Sequence, residues 1–139
     1  MEVKLITNED FMQLAQVNAA MYKSIDDNIN EFQATNMLIA LINGGHNFTA
    51  IGLYDNNVLM GMVHGYEEKP GEFHFSGLHV AIKNSEWTQK LIEFSFELIE
   101  DRGYTAWEVD ATNDNIASIM EKYGAKVKYK KYRKELSNG

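Results

Sequence analysis

Four residues close together in the chain carry groups that could move a proton at neutral pH: His64, Glu72, His74 and His79. A carboxylate or an imidazole within reach of an amine can act as a general base. Three of the four lie in Glu72 to Val80, where Phe73 and Phe75 alternate with His74, Ser76, Leu78 and Val80 as in a strand. On that alternation His74 and His79, an odd number of residues apart, face opposite sides and share neither a metal nor a relay. Each histidine taken alone also fits a hydrogen-bonded structural role. Met60 and Met62, nearby, could line an adaptable groove or simply fill a core.

The same stretch offers a place for an anion. Beyond Val80 a short turn leads into a helix that starts near Ser85, with Ser85 as its cap and Glu86 in its first turn. Trp87, Leu91, Phe94 and Leu98 recur at helical spacing, Ile92, Phe96 and Ile99 widen the stripe, and Gly103 ends the helix. A strand feeding a helix through a short turn gathers free backbone N–H groups at one point.

The elements that must position this unit follow from the rest of the pattern. Glu2 to Ile6 reads as a strand, and Thr7 caps a helix carried by Phe11, Leu14, Ala15 and Val17 or Asn18. Asp26 and Asp27 open a second helical region that ends at Asn43-Gly-Gly45. Phe48–Tyr54 and Val58–Tyr66 form a hairpin about Asp55-Asn-Asn57, and Glu67–Gly71, with the sole proline, is another turn. After Gly103 come a strand over Ala106–Ala111, a helix over Asn113–Gly124 and a last extended piece, bulged or broken near Lys130.

At 139 residues with 45% hydrophobic content, the chain is expected to be one domain, 1–139, with a real core. It has no cysteine, so disulfides and thiolate metal sites are excluded, and no metal site is assigned. No apolar run approaches a membrane span and no signal peptide is evident, which points to the cytoplasm. The net charge of −7 splits into +5 over the last 14 positions and −12 over the remainder. Such a body repels nucleic acid and anionic membranes, and the basic run reads as the coat of an edge strand.

This order of elements resembles the GNAT family of acetyl-CoA-dependent N-acyltransferases from about Val3 to Leu136. The sharpest local similarities are Leu91-Ile-Glu-Phe-Ser-Phe-Glu-Leu-Ile-Glu-Asp-Arg-Gly-Tyr104 and the segment from Asn113 to Glu121-Lys-Tyr-Gly124. The resemblance implies an α/β (α+β) fold with a mixed, mostly antiparallel central sheet and helices on both faces. It also implies acetyl-CoA as a substrate, with its pantetheine arm along Leu78, His79, Val80 and Asn113. The pyrophosphate would lie on the turn Lys83, Asn84, Ser85, Glu86, Trp87 and Thr88.

Two departures from the family pattern stand out. Anchored on Leu91 and Ile92, Lys83 takes the family's Arg or Gln position, but Glu86 and Thr88 stand where glycines bare the backbone, and counted from Val80 the turn is about two residues short. Met120 occupies the position of the Tyr that protonates the departing thiolate. Tyr123 lies about 4.5 Å further along the helix and about 60° around it. Tyr123, His79 and Glu72 are the candidate catalytic residues. The resemblance implies transfer of an acetyl group to an amine, a small molecule or a peptide. The alternative is a GNAT-like binding or interaction module that has lost acetyl-CoA.

Overall fold

The computed structural model describes residues 1–110, 114–128, 132 and 134–136. The chain groups into two compact units, Met1–Val109 and Asp110–Gly139.

The first unit is built on a five-stranded sheet in which sequence neighbours are also spatial neighbours. Its strands are β1 (Glu2–Leu5), β2 (His46–Asp55), β3 (Val58–Lys69), β4 (Glu72–Val80) and β5 (Ala106–Val109); its helices are α1 (Phe11–Ile25), α2 (Glu31–Gly44) and α3 (Ser85–Asp101). The β1–β4 pairings are antiparallel and β5 runs parallel to β4, so β4 is interior, as its apolar content requires.

Two tight turns fix the register. Asn56 and Asn57 both have positive φ, 49° and 67°, as a two-residue hairpin turn demands, and Pro70-Gly71, with Gly71 at φ 79°, closes β3 onto β4. Helices cover both faces. Leu14, Ala15, Val17 and Met21 of α1 and Leu38 of α2 pack with Ala50, Tyr54, Leu59 and Met62 of the sheet. On the other face Phe96 of α3 meets Phe75 at 5.4 Å and stacks on Trp107 at 4.4 Å.

Several expectations need correction. Helix α2 begins at Glu31 rather than at Asp26 and Asp27, because Asn30 and Gln33 form a reciprocal capping box that the aspartates cannot match. Thr7 precedes a single 3-10 turn, Asn8–Asp10, and makes no capping bond through its side chain. The cap of α3 is Asn84, whose Oδ1 accepts from the Trp87 N–H at 3.2 Å; Ser85 is the first helical residue.

The second unit contains α4 (Asp114–Lys122), closed by Gly124 at φ 87°, with Met120 buried and Tyr123 half-buried. Among its described residues no strand follows; the extended piece and its basic coat fall partly outside them, as does Asn113. Among the described residues no helix is long and apolar enough to cross a membrane.

Candidate active site

The shape of β4 is set by one inserted residue. His64 pairs with Gly77 and the next residue, Gly65, with Phe75, so Ser76 is left over as a bulge. Glycine is required on both strands there. A Cβ on Gly65 would collide with the His74 carbonyl oxygen, and one on Gly77 would come within 2.5 Å of His64 Nε2.

The bulge resets the alternation. Met62 pairs with His79 and Tyr66 with His74, and Met62 belongs to the cluster under α1. His74, Ser76 and His79 therefore share the α1 face, while Leu78 and Val80 join Phe73 and Phe75 on the α3 face. The expectation that His74 and His79 face opposite sides is wrong for this reason. Glycines inside a strand pattern, Gly65 and Gly77, were the available signal.

Ser76 also holds a buried histidine. His64 Nε2 lies 2.9 Å from Asn18 Oδ1 and His64 Nδ1 lies 2.6 Å from Ser76 Oγ. The Asn18 oxygen can only accept, which places the proton on Nε2 and leaves Nδ1 to accept from the Ser76 hydroxyl. The Asn18 amide group donates in turn to the Ala34 carbonyl at 3.3 Å. Burial pushes the His64 pKa down to about 4. Both ring nitrogens are engaged and charging the ring is opposed, so His64 is a structural histidine.

The ladder between β4 and β5 runs only from Glu72↔Ala106 to Phe75↔Val109. Ala81 N–H donates to the Met60 carbonyl at 2.7 Å. Antiparallel alternation then turns the N–H and C=O groups of residues 77, 79 and 81 toward β3, and those of Leu78 and Val80 the other way. Among the described residues that side of β4 has no strand beyond Val109. The result is a pair of main-chain donors, at Leu78 and Val80, on an edge of an otherwise interior strand that no described strand pairs.

Beside this edge stands the start of α3. Lys83, Ser85 and Glu86 are exposed, and Asn84, Trp87 and Thr88 are half-buried. Asn84 consumes one first-turn amide through its side chain, and the Thr88 N–H and hydroxyl both donate to the Asn84 carbonyl, at 3.0 and 2.9 Å. The first two amides of the helix, at Ser85 and Glu86, have no partner to gain within the helix. Glu86 does not simply oppose an anion there, since Lys90 Nζ lies 3.4 Å from its carboxylate and 4.3 Å from the centre of the Trp87 ring.

His79 is half-buried, and burial lowers its pKa, so its imidazole is neutral at pH 7. Glu72 is at the other end of β4, seven residues or roughly 23 Å away along an extended strand. It therefore cannot serve the same reacting atom as His79. A concavity of about 510 Å³ lies near that other end, lined in part by Thr49, Glu67, Gly71 and Arg102, and involves none of the expected cofactor residues. Tyr123 follows the last residue of α4 in the second unit.

No protein-family model matches the sequence, and neither does any curated protein. Solved structures do match its shape. A ribosomal-protein-alanine N-acetyltransferase from Brucella melitensis biovar Abortus is 16% identical, with TM-score 0.69 over 98% of this chain and 100% of its own. A GNAT family acetyltransferase from Staphylococcus aureus is 18% identical, with TM-score 0.66 over 97% of this chain and 98% of its own. A PaiA N-acetyltransferase from Thermoplasma acidophilum, solved with coenzyme A, is 11% identical, with TM-score 0.61 over 89% of this chain and 88% of its own. With a mixed sheet whose only parallel pair, among the described residues, is β4 with β5, the chain has the fold of the GNAT acetyltransferases.

Proposed function

We propose that the protein is an N-acyltransferase that moves an acetyl group from acetyl-CoA to an amine, carried by a small molecule or a peptide. The observation that carries this reading is the main-chain edge at Leu78 and Val80, which no strand pairs among the described residues, beside the N-terminus of α3. An edge amide there can donate to the thioester carbonyl and stabilise the oxyanion that forms on it. The helix start offers amides to the pyrophosphate. The amine nitrogen attacks the carbonyl carbon, the new C–N bond forms as the C–S bond breaks, and coenzyme A leaves as a thiolate.

Two protons complete the balance. The neutral imidazole of His79 is the candidate acceptor for the proton of the attacking amine. Tyr123 is the candidate donor to the thiolate, a role that comes from family resemblance. Tyr123→Phe should then lower kcat and leave the affinity for acetyl-CoA unchanged, because only the proton is removed.

A second reading, a binding module of the same fold without acetyl-CoA, is favoured by one feature. Glu86 and Thr88 put side chains where the family pattern bares the backbone, and the Asn84 side chain occupies a first-turn amide. Calorimetric titration with acetyl-CoA, followed by thiol release in the presence of a panel of primary amines and N-terminal peptides, separates the two. Saturable binding with amine-dependent thiol release supports the transferase. No heat and no thermal shift at millimolar acetyl-CoA supports the module, since a ligand that binds only the folded state must stabilise it.

A further inference from the structure

The α1 face of the sheet carries a group of donors at the opposite end of β4 from the candidate active site. His74 on β4 pairs in register with Tyr66 on β3 and with Glu108 on β5. Glu68 is the extra residue where the register slips between Glu67 and Lys69, and its carboxylate is turned to His74. One ligand atom from each of Glu68, His74 and Glu108 lies within 4.8 Å of the other two.

The imidazole nitrogen inside this group is not accounted for by the protein. His74 Nδ1 is buried and makes no hydrogen bond, although the side chain as a whole is 18% exposed. The Glu68 carboxylate oxygen Oε2 is 3.6 Å away. A charge-assisted hydrogen bond would close to about 2.7–2.9 Å. In a tetrahedral zinc site with metal–ligand bonds of about 2.0–2.2 Å, neighbouring donors stand roughly 3.4 Å apart.

We propose that Glu68, His74 and Glu108 bind a divalent transition-metal ion of the zinc class. Nitrogen and oxygen donors without thiolate suit zinc and its neighbours. Three protein ligands leave a fourth position for water, and Glu68, 48% exposed, leaves a way in from solvent. The ion offsets both carboxylates and ties β5, held to β4 by a ladder of four residue pairs, to β3 as well. The group lies five residues from His79, roughly 16 Å along β4, so the proposal stands apart from acyl transfer.

The test uses tag-free full-length protein, stripped with chelator and titrated with zinc against a chromophoric indicator, then with cobalt to read the visible spectrum. One equivalent of zinc should bind at micromolar concentration and raise the melting temperature, and cobalt should give the intense bands of a tetrahedral site. His74→Ala, Glu68→Gln and Glu108→Gln should each weaken zinc by at least tenfold. His46→Ala, which removes the separate pair of exposed His46 with half-buried Glu67, should leave it unchanged. Melting of the zinc-free variants shows which are folded, and either glutamine variant keeps the test intact if His74→Ala is not. Absence of saturable zinc binding overturns the proposal, and so does binding that survives all three substitutions. An NMR titration in which His74 gains a proton beside Glu68 but does not respond to zinc identifies an ion pair and overturns it too.

Discussion

The two halves of β4 are one strand with two occupations. From Glu72 to Phe75 it is paired on both sides, and Phe73 and Phe75 are buried, with rings in edge contact at 5.0 Å. From Gly77 to Val80 it is paired with β3, every residue is half-buried, and its other edge is turned toward the site. Ser76 is the joint. The difference teaches that a bulge can convert a load on the core into a donor surface within one residue, with no change of element.

The largest break in this comparison should come from the first half. Phe73→Ala should cost about 3–5 kcal/mol of stability, read by urea unfolding, because a large side chain is removed from a filled core. Leu78→Ala, at a half-buried position, should cost distinctly less and act mainly on ligand binding. Equal losses at the two sites would erase the distinction between core half and site half.

The joint itself should respond to pH. His64 has a folded-state pKa of about 4 against an ordinary 6.5, so protonation favours the unfolded chain. Its contribution is full above pH 6.5 and declines as the pH falls toward 4, by an amount on the order of 3 kcal/mol. His64→Gln should be less stable than wild type at pH 7.5, and the gap should narrow toward pH 4. A gap that is constant with pH in chemical denaturation would show that His64 is not held neutral by its burial.

A smaller effect is expected at Gly77. Gly77→Ala places a methyl group against the His64 ring and 3.1 Å from Met21 Sδ, which should cost about 1–3 kcal/mol. The companion Ser76→Ala removes the hydroxyl that serves Nδ1 without adding bulk, and should cost about 1 kcal/mol. If Gly77→Ala were neutral, the close packing of the bulge on His64 would be wrong.

The smallest effect lies at the start of α3. Glu86→Gly removes a negative charge from the positive end of the helix and should tighten acetyl-CoA by roughly 0.3–1 kcal/mol, about two- to fivefold in Kd. The Lys90 contact keeps the gain small, because it already offsets part of that charge. An unchanged Kd at low salt would move the phosphate site elsewhere.

Much of the fold was legible in sequence because its signals are local. The asparagine pair of the first hairpin, the Pro-Gly of the second and the apolar stripe of α3 each act within a few residues. The order of strands and the interior place of β4 followed from those. What failed was whatever depended on a competition or on a partner strand. Asp26 and Asn30 are both good helix starts, and the choice fell to Asn30 because Gln33 could reciprocate. The α3 cap went to Asn84 over Ser85 in the same way. The alternation of β4 looked regular because Ser76 resembles any polar strand residue; only its pairing with β3 exposes it as extra. For the site, the stretch from Leu78 to Thr88 was found by resemblance, but its main-chain donors carry no residue-type signature. Glu68 and Glu108 were invisible for a related reason, since they meet His74 across three strands.

The central claim is that the second half of β4 and the first turn of α3 receive acetyl-CoA while the first half of β4 does not. Amide chemical shifts of isotope-labelled protein, followed as acetyl-CoA is added, test it most directly. The N–H signals of Leu78, Val80, Ser85 and Glu86 should move progressively to saturation, and those of Phe73 and Phe75 should stay in place. Shifts centred on Phe73 to Phe75, or on Thr49, Gly71 and Arg102 at the other end of the sheet, would contradict the account.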